Sequence, residues 1–72
     1  MEKRAIKGEY ITLGNLLQKV NIAQTGGQAK ILVKQLDIKV NNEKEDRRGR
    51  KLYPGDLIDI EGREYLLIHE NQ

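Results

Sequence analysis

The stretch TGGQAK, residues 25–30, marks the start of a helix, and the rest of the chain is arranged around it. Thr25 is a good N-cap, because its hydroxyl oxygen can accept a hydrogen bond from a backbone N–H of the first turn. Gln28 completes a capping-box pattern three residues later. Gly26 and Gly27 carry no side chain, so a large partner can approach their backbone closely. Since such a helix terminus suits an anion, the stretch predicts either an anion-binding site or, the commoner case, a plain turn.

Two amphipathic helices are predicted, one opened by Thr12 and one opened by Thr25. In both, the apolar residues follow the i, i+3, i+4, i+7 spacing that forms one stripe along a helix. The short connector makes the helices neighbours in an αα-hairpin. Lys30 and Lys34 lie off the apolar stripe and close to the side of Gly27, which predicts either a phosphate-binding face or an ordinary solvated one.

The remaining segments predict a small antiparallel sheet. Ile38 and Val40 alternate with Lys39, as in a half-buried strand. Asn41-Asn42 suits the tight turn of a hairpin, because Asn tolerates a positive φ. The other predicted elements are a short edge or irregular return strand at 43–46, a turn at 53–56, a strand at 57–60, a turn at 61–64, a last strand at 65–68, and a short strand around Gly8 within residues 1–11.

Two helices followed by a small antiparallel sheet predict an α+β fold, in which the helical hairpin packs on the sheet. The chain has 72 residues, the size of one small domain, so residues 1–72 are predicted to form a single domain. The predicted core draws on both layers: Leu13, Leu16, Leu17, Val20, Ala29, Leu32, Val33, Leu36, Ile38, Val40, Leu52, Ile58, Ile60 and Leu67.

The run RRGRK, residues 47–51, places four cations in five residues. Arg suits phosphate oxygens, because its guanidinium group can bind two of them side by side. Charge is also distributed unevenly along the chain. Residues 1–51 carry 12 basic and 6 acidic residues, whereas residues 52–72 carry 1 basic and 5 acidic ones. These observations predict a basic face for a polyanion and an acidic end. For the run alone, a solvated loop or neutralisation by nearby acidic residues is an equal alternative; those residues are Glu43, Glu45 and Asp46.

Several classes of site lack the residues they need. The chain has no Cys and one His, His69, which argues against metal centres, nucleophile–histidine catalysis and cofactor sites. Its glycines match neither a P-loop nor a dinucleotide-binding pattern. No apolar segment approaches the roughly 20 residues that span a bilayer, and no signal peptide is evident, so we expect a cytoplasmic protein with no membrane role. With three aromatic residues, base stacking is not expected as the main binding mode.

In combination, these motifs resemble the RNA-binding domain named after ribosomal small-subunit protein four, also called the alpha-L RNA-binding motif. Its marks are two short helices, a hairpin whose first strand ends in V-x-V-N, and a late P-G-D turn. In this chain the strand end corresponds to residues 38–42 and the turn to residues 54–58. The family's second helix usually opens S-R-x-x-A, which Thr25 and Ala29 match at its ends. Gly26 replaces the usual Arg, so the common arginine contact to phosphate is missing. This version, together with the basic run, looks like the small stand-alone bacterial branch of YaaA-like and YbcJ-like proteins.

The resemblance covers residues 10–60 and implies a stand-alone RNA-binding module without enzymatic activity or cofactor. Structured ribosomal RNA or a ribosomal precursor is the implied partner, in ribosome assembly or translation. We expect a monomer that recognises folded RNA by shape and 2′-OH groups more than by sequence. Two alternatives stay open: a binder of double-stranded DNA, and a protein–protein adaptor on the ribosome or the replication machinery that uses the acidic end or a sheet edge. The predicted RNA-binding residues are Thr25, Gly26, Gly27, Gln28, Lys30, Lys34, Arg47, Arg48, Arg50 and Lys51.

Overall fold

Two helices and seven strands make up the fold in a computed structural model that describes residues 1–70. The α+β class predicted from the sequence is confirmed. In chain order the elements are β1 Glu2–Ile6, β2 Ile11–Thr12, α1 Leu13–Lys19, α2 Gly26–Gln35, β3 Ile38–Val40, β4 Glu43–Lys44, β5 Lys51–Leu52, β6 Leu57–Ile60 and β7 Arg63–His69.

Both helices begin where their capping residues predict. Thr12 Oγ1 accepts a hydrogen bond from the Asn15 N–H at 3.3 Å, and Thr25 Oγ1 accepts one from the Gln28 N–H at 3.0 Å. After α1 the chain reaches Asn21, whose φ of +64° is incompatible with continuing the helix. The helices then pack against each other as the predicted αα-hairpin.

The main sheet has five strands in the order β1-β7-β6-β3-β4. Strands β7, β6, β3 and β4 pair antiparallel, as predicted, but β1 runs parallel to β7. The prediction of a purely antiparallel sheet is therefore wrong at this edge, because the partner of β1 lies at the far end of the chain and no local turn signals the pairing. Strands β2 and β5 form a separate two-stranded sheet that was not predicted.

Strand boundaries differ from the prediction in three places. Gly8 lies in a bend between β1 and β2 rather than inside one strand, and its φ of +75° favours glycine there. The turn predicted at 61–64 contains only Glu61 and Gly62, and β7 begins directly after it. The return strand predicted at 43–46 is limited to β4, which lies at the sheet edge, because the chain then leaves the sheet.

The core lies between the helical hairpin and the sheet, and most of the predicted core residues are buried there. Val20, Leu32 and Leu36 are only half-buried and pack against its margin. Three further hydrophobic residues of the core were not predicted, namely Ile6, Ala23 and Tyr65. They reach the interior through the β1–β7 pairing and the path of the interhelical connector, neither of which is visible in local periodicity.

A side-chain contact joins the hairpin after β3 to the turn before β6. Asn41 Nδ2 donates to Asp56 Oδ1 at 3.0 Å, and Asn41 Oδ1 accepts a hydrogen bond from the Leu57 N–H at 2.9 Å. Asp56 Oδ2 also accepts the Tyr53 N–H at 2.8 Å, which closes the turn in which Gly55 has a φ of +97°. The Asn of V-x-V-N and the Asp of P-G-D therefore stabilise each other within the fold.

Candidate nucleic-acid interface

The N-terminus of α2 is open to solvent. Thr25 holds the Gln28 N–H, and Gln28 Oε1 accepts a hydrogen bond from the Gln24 N–H at 2.6 Å. This differs from the predicted capping box by one residue, since the Gln28 side chain reaches Gln24 rather than Thr25. The side-chain oxygen of Gln28 is thus committed to capping. By contrast, the exposed N–H groups of Gly26 and Gly27 meet no acceptor in the part of the chain that the structure describes.

The solvent side of α2 carries both predicted lysines. Gly27, Lys30, Ile31 and Lys34 recur at the i, i+3, i+4, i+7 spacing and line an open depression; we call these four residues the α2 lysine face. Neither ammonium group forms an ion pair with a carboxylate of the described residues. Both lysines are exposed, as is Ile31 between them. This face therefore offers two unneutralised cations beside an uncovered helix terminus.

Glu45 organises the basic loop, which we define as residues 47–51. The Glu45 side chain is only 5% exposed. Its carboxylate accepts hydrogen bonds from Arg47 Nε at 2.9 Å, from Arg47 Nη2 at 3.0 Å and from Arg50 Nη1 at 2.7 Å. It also accepts the backbone N–H groups of Asp46 and Arg47. Among the acidic residues considered as partners of the run, only Glu45 forms ion pairs with its arginines. Glu43 and Asp46 form no ion pair within residues 1–70.

These contacts keep Glu45 ionised. The side-chain hydrogen bonds from Arg47 are the largest cause, and together with the one from Arg50 and the Arg47 backbone N–H they outweigh burial and lower the pKa of Glu45 from 4.5 to about 2. The same contact with Glu45 raises the pKa of Arg47. At neutral pH the loop is therefore built around one buried carboxylate that holds two guanidinium groups.

The four cations of the basic loop fall into two pairs. Arg47 and Arg50 are tied to the buried carboxylate, and their side chains are 71% and 32% exposed. Arg48 and Lys51 are exposed and contact no carboxylate among the described residues. Lys51 Nζ lies 5.0 Å from the centre of the Tyr10 ring, which it covers as a cation–π partner. The first pair thus shapes the loop, and the second pair is free to meet an anion.

The basic loop is fixed to the start of α1 by its backbone. The Leu13 N–H donates to the Arg50 carbonyl oxygen at 2.9 Å, and the Gly14 N–H donates to the Arg48 carbonyl oxygen at 2.8 Å. These carbonyls satisfy donors that the first turn of a helix leaves free. A Cβ on Gly14 would lie 3.4 Å from Arg48 Cβ and 3.9 Å from Ala29 Cβ. The basic loop and α2 are therefore neighbours across the first turn of α1.

Two residues that shape this surface were absent from the predicted site. Glu45 stands two residues before the arginine run, but Glu43 and Asp46 carry the same sequence signal, so burial alone distinguishes it. Gly14 interrupts an amphipathic helix, and its close approach to Arg48 and Ala29 becomes visible only in the folded chain. All ten predicted binding residues lie on α2, its cap or the basic loop, and all except the half-buried Arg50 are exposed.

In residues 1–70, His, Cys, Asp and Glu side chains form no group of three or more that could hold a metal ion. None of the helices in this range is long and apolar enough to cross a membrane. His69 is exposed at the end of β7.

Comparison with known proteins agrees with this architecture. The S4 domain family matches residues 4–68 of the chain. A relative from Bacillus subtilis (strain 168), named "Probable ribosome maturation protein RlbA", is 47% identical over 58 residues, which are 81% of this chain and 82% of the relative. The two chains are therefore of nearly equal length. Together with the confirmed fold class, these matches confirm the resemblance found in the sequence: the chain belongs to the S4 domain family.

Proposed function

We propose that this chain is an RNA-binding module that binds structured ribosomal RNA or a ribosomal precursor and acts in ribosome assembly or translation. Membership of the S4 domain family supports RNA binding, and the name of the Bacillus relative supports a place in ribosome maturation. In this proposal the chain forms one RNA-binding domain, works as a cytoplasmic monomer and holds RNA without catalysing a reaction.

The observation that carries the proposal is a set of four exposed cations on neighbouring elements. Lys30 and Lys34 belong to α2, while Arg48 and Lys51 belong to the basic loop, and none of the four is paired with a carboxylate of residues 1–70. Backbone phosphates position a protein on nucleic acid through such contacts. One RNA backbone segment binds the α2 lysine face and the open helix terminus, and a second binds the basic loop.

Recognition by this surface depends on RNA shape. A-form RNA displays its 2′-hydroxyl groups and phosphates along a wide, shallow minor groove, which flat basic surfaces can follow without reading bases. The Gln28 side-chain oxygen is used in capping, but its amide N–H₂ group makes no hydrogen bond within the described residues. That group supplies a donor to a phosphate or a 2′-hydroxyl oxygen beside Gly26 and Gly27.

The acidic end is less suited to an adaptor role than its composition implies, because several of its carboxylates serve the fold. Asp56 closes the turn before β6, Asp59 Oδ1 accepts the Gly62 N–H at 2.8 Å, and Glu61 Oε2 accepts the Asp37 N–H at 2.6 Å. The solvent side of α2 presents Lys30, Ile31, Lys34 and Gln35, so membership of the S4 domain family, rather than the chemistry of these side chains, favours RNA over DNA. RNA therefore remains the preferred partner.

Sedimentation of the tagged full chain from cell lysate tests this function. The chain should sediment with a ribosomal subunit or precursor at low salt and be released by high salt or by ribonuclease. Sedimentation with a partner that survives both treatments would instead establish the adaptor role. Sedimentation as a free small protein in every condition would contradict stable binding to ribosomal RNA.

Binding measurements with purified components complete the test. An RNA duplex should bind more tightly than a DNA duplex of the same sequence, and the reverse order would favour the DNA alternative. Each neutralised phosphate adds roughly 0.7–0.9 to the slope of log affinity against log salt, so four phosphate contacts predict a slope of about three. A slope near zero would contradict the proposed cationic surface.

A further inference from the structure

Two exposed tyrosines stand side by side next to the basic loop. Strands β2 and β5 pair antiparallel, with Ile11 opposite Leu52, so Tyr10 just before β2 and Tyr53 just after β5 emerge next to each other. The two ring centroids are 5.9 Å apart and the ring planes are inclined by 50°. Tyr10 and Tyr53 are 41% and 46% exposed, whereas Tyr65 in the core is 1% exposed. Two of the three aromatic residues thus remain at the surface, in contact with each other.

The two rings differ in what surrounds them. Lys51 Nζ covers the Tyr10 ring at 5.0 Å, so this ring is engaged on one face. Tyr53 lines an open groove together with Arg47, Gly49, Arg50 and Lys51. Alternation along an extended strand places Lys51 and Tyr53 on one side and the buried Leu52 on the other. The groove therefore combines one accessible aromatic residue with the unpaired ammonium group of Lys51 and with two guanidinium groups that Glu45 already holds in place.

That combination matches the chemistry of a single nucleotide. A base offers a π face to an aromatic ring, and its phosphate offers oxygens to guanidinium and ammonium groups. A base paired inside a duplex cannot present its face to a side chain, whereas a base in a bulge or loop can be turned outward. The occupant that fits the groove is therefore an unpaired nucleotide.

We propose that Tyr53, supported by Tyr10, stacks on one unpaired base of an RNA whose adjoining phosphates bind the basic loop. This inference rests on the proposed RNA-binding function and deepens it. The module then recognises a duplex interrupted by an unpaired nucleotide, rather than a regular duplex. Shape recognition by the cations and recognition of one base by the tyrosine act together on adjacent parts of the same surface.

The test uses the full chain and two RNA probes, a blunt duplex and the same duplex with one bulged adenosine. The unaltered chain should prefer the bulged probe by roughly fivefold to a hundredfold, the range expected for one base–aromatic stack. Tyr53→Leu keeps apolar bulk against Tyr10 but removes the aromatic face, so it should abolish the preference. Tyr53→Phe retains the face and should keep it. Thermal unfolding of each variant checks that the fold is intact.

Intrinsic fluorescence gives a second reading, because the chain has three Tyr and no Trp. Binding of the bulged probe should quench tyrosine emission, and Tyr53→Phe should remove most of that quenching while binding persists. Equal affinity for both probes, unchanged in Tyr53→Leu, would overturn the stacking inference and leave RNA binding standing. If Tyr53→Leu lost the same affinity for the blunt and the bulged duplex, the inference would also be overturned, because Tyr53 would then contact the RNA backbone and not the unpaired base. Failure to bind either probe would overturn the proposed function as well.

Discussion

The backbone N–H of Gly14 donates a 2.8 Å hydrogen bond to the carbonyl oxygen of Arg48, and no side chain separates the two residues. This contact places the basic loop on the first turn of α1 and next to Ala29 of α2. The loop is therefore held in position by the fold, rather than being a free basic segment. A larger side chain at position 14 should therefore displace the basic loop and in this way weaken RNA binding.

Comparing Gly14→Ala with Gly14→Val should distinguish the effect of helix propensity on stability from the effect of displacing the basic loop. The added Cβ of alanine lies 3.4 Å from Arg48 Cβ and the Arg48 carbonyl oxygen, which is tolerable contact. Since alanine also favours a helix by up to about 1 kcal/mol over glycine, Gly14→Ala should unfold at the same or a higher temperature and bind RNA normally. The γ-methyl groups of valine extend beyond a Cβ that already contacts Arg48 and Ala29, so Gly14→Val should lose about 1–3 kcal/mol of stability and several-fold in RNA affinity. A valine variant that unfolds and binds like the unaltered chain would refute the role assigned to this contact.

Glu45→Gln should destabilise the fold by about 1–3 kcal/mol at neutral pH, because a buried carboxylate that holds two guanidinium groups is replaced by a neutral amide. Glu43→Gln is the matched control, since Glu43 is exposed and forms no ion pair in the described residues. Its unfolding free energy, from urea titration, should stay close to that of the unaltered chain. Comparable stability losses for the two variants would contradict the organising role of Glu45.

The pH dependence of the same variant follows from the pKa of Glu45, which the fold lowers from 4.5 to about 2. A carboxyl group with a depressed folded-state pKa stabilises the fold fully above its unfolded-state value, and loses that contribution as the pH falls toward the folded-state value. The stability difference between the unaltered chain and Glu45→Gln should therefore be largest above pH 4.5 and shrink toward pH 2. A difference that is constant across this range would show that the carboxylate charge is not what stabilises the loop.

Asn41→Ala should cost about 2–3 kcal/mol of stability. The substitution removes the hydrogen bonds to Asp56 and to the Leu57 N–H. It also places an alanine at a φ of +52°, a backbone conformation that asparagine adopts more readily. Asn42 has a φ of +71° in the same turn, but its side chain makes no hydrogen bond among the described residues. Asn42→Ala should therefore cost only the strain of an alanine at positive φ, about 1 kcal/mol, and similar losses at both positions would indicate that turn strain alone matters.

The features of the fold that could be predicted from the sequence are those that residues close together in the chain determine. The caps at Thr12 and Thr25 and the turns at Asn41 and Gly55 depend on side chains and φ values within a few residues, and the structure confirms them. The parallel pairing of β1 with β7 depends on segments at opposite ends of the chain, and it was missed. Register across such a distance leaves no local signal.

The candidate site shows the same division. The lysines on the solvent side of α2 followed from helical periodicity, and their exposure agrees with it. Glu45 looked like one of several acidic residues before the arginine run, because burial is a tertiary property. The tyrosine pair was equally hidden, since Tyr10 and Tyr53 become neighbours only through two strands of two residues each. Contacts made across the sequence are thus what shape this surface.

Gly27→Ala should raise stability and lower RNA affinity, a combination that a purely structural glycine would not produce. A Cβ at this position meets only Thr25 Oγ1, at 3.9 Å, so alanine fits and strengthens the helix by up to about 1 kcal/mol. The added methyl group nevertheless stands over the N–H groups that the proposed phosphate approaches, and affinity should fall several-fold. Thermal unfolding and RNA titration of the same preparation check both effects. Unchanged affinity in a stabilised variant would remove the helix terminus from the binding surface.

Arg48→Glu and Lys34→Glu should each weaken RNA binding and flatten its salt dependence, because each removes a cation from a different element of the proposed surface. Neither side chain is ion-paired in the described residues, so the variants should unfold within about 0.5 kcal/mol of the unaltered chain. The slope of log affinity against log salt should fall by roughly 0.7–0.9 for each lost phosphate contact.

Lys39→Glu supplies the matched control for these charge reversals, because it changes the net charge equally at a different place. Lys39 is exposed on β3 between the buried Ile38 and Val40, so it lies on the side of the sheet that faces away from the helices. Its reversal should lower RNA affinity only weakly and leave the salt slope almost unchanged. If all three variants lose affinity and slope equally, binding follows net charge and not the surface formed by α2 and the basic loop. If Arg48→Glu and Lys34→Glu both keep the original slope, that surface does not contact phosphate.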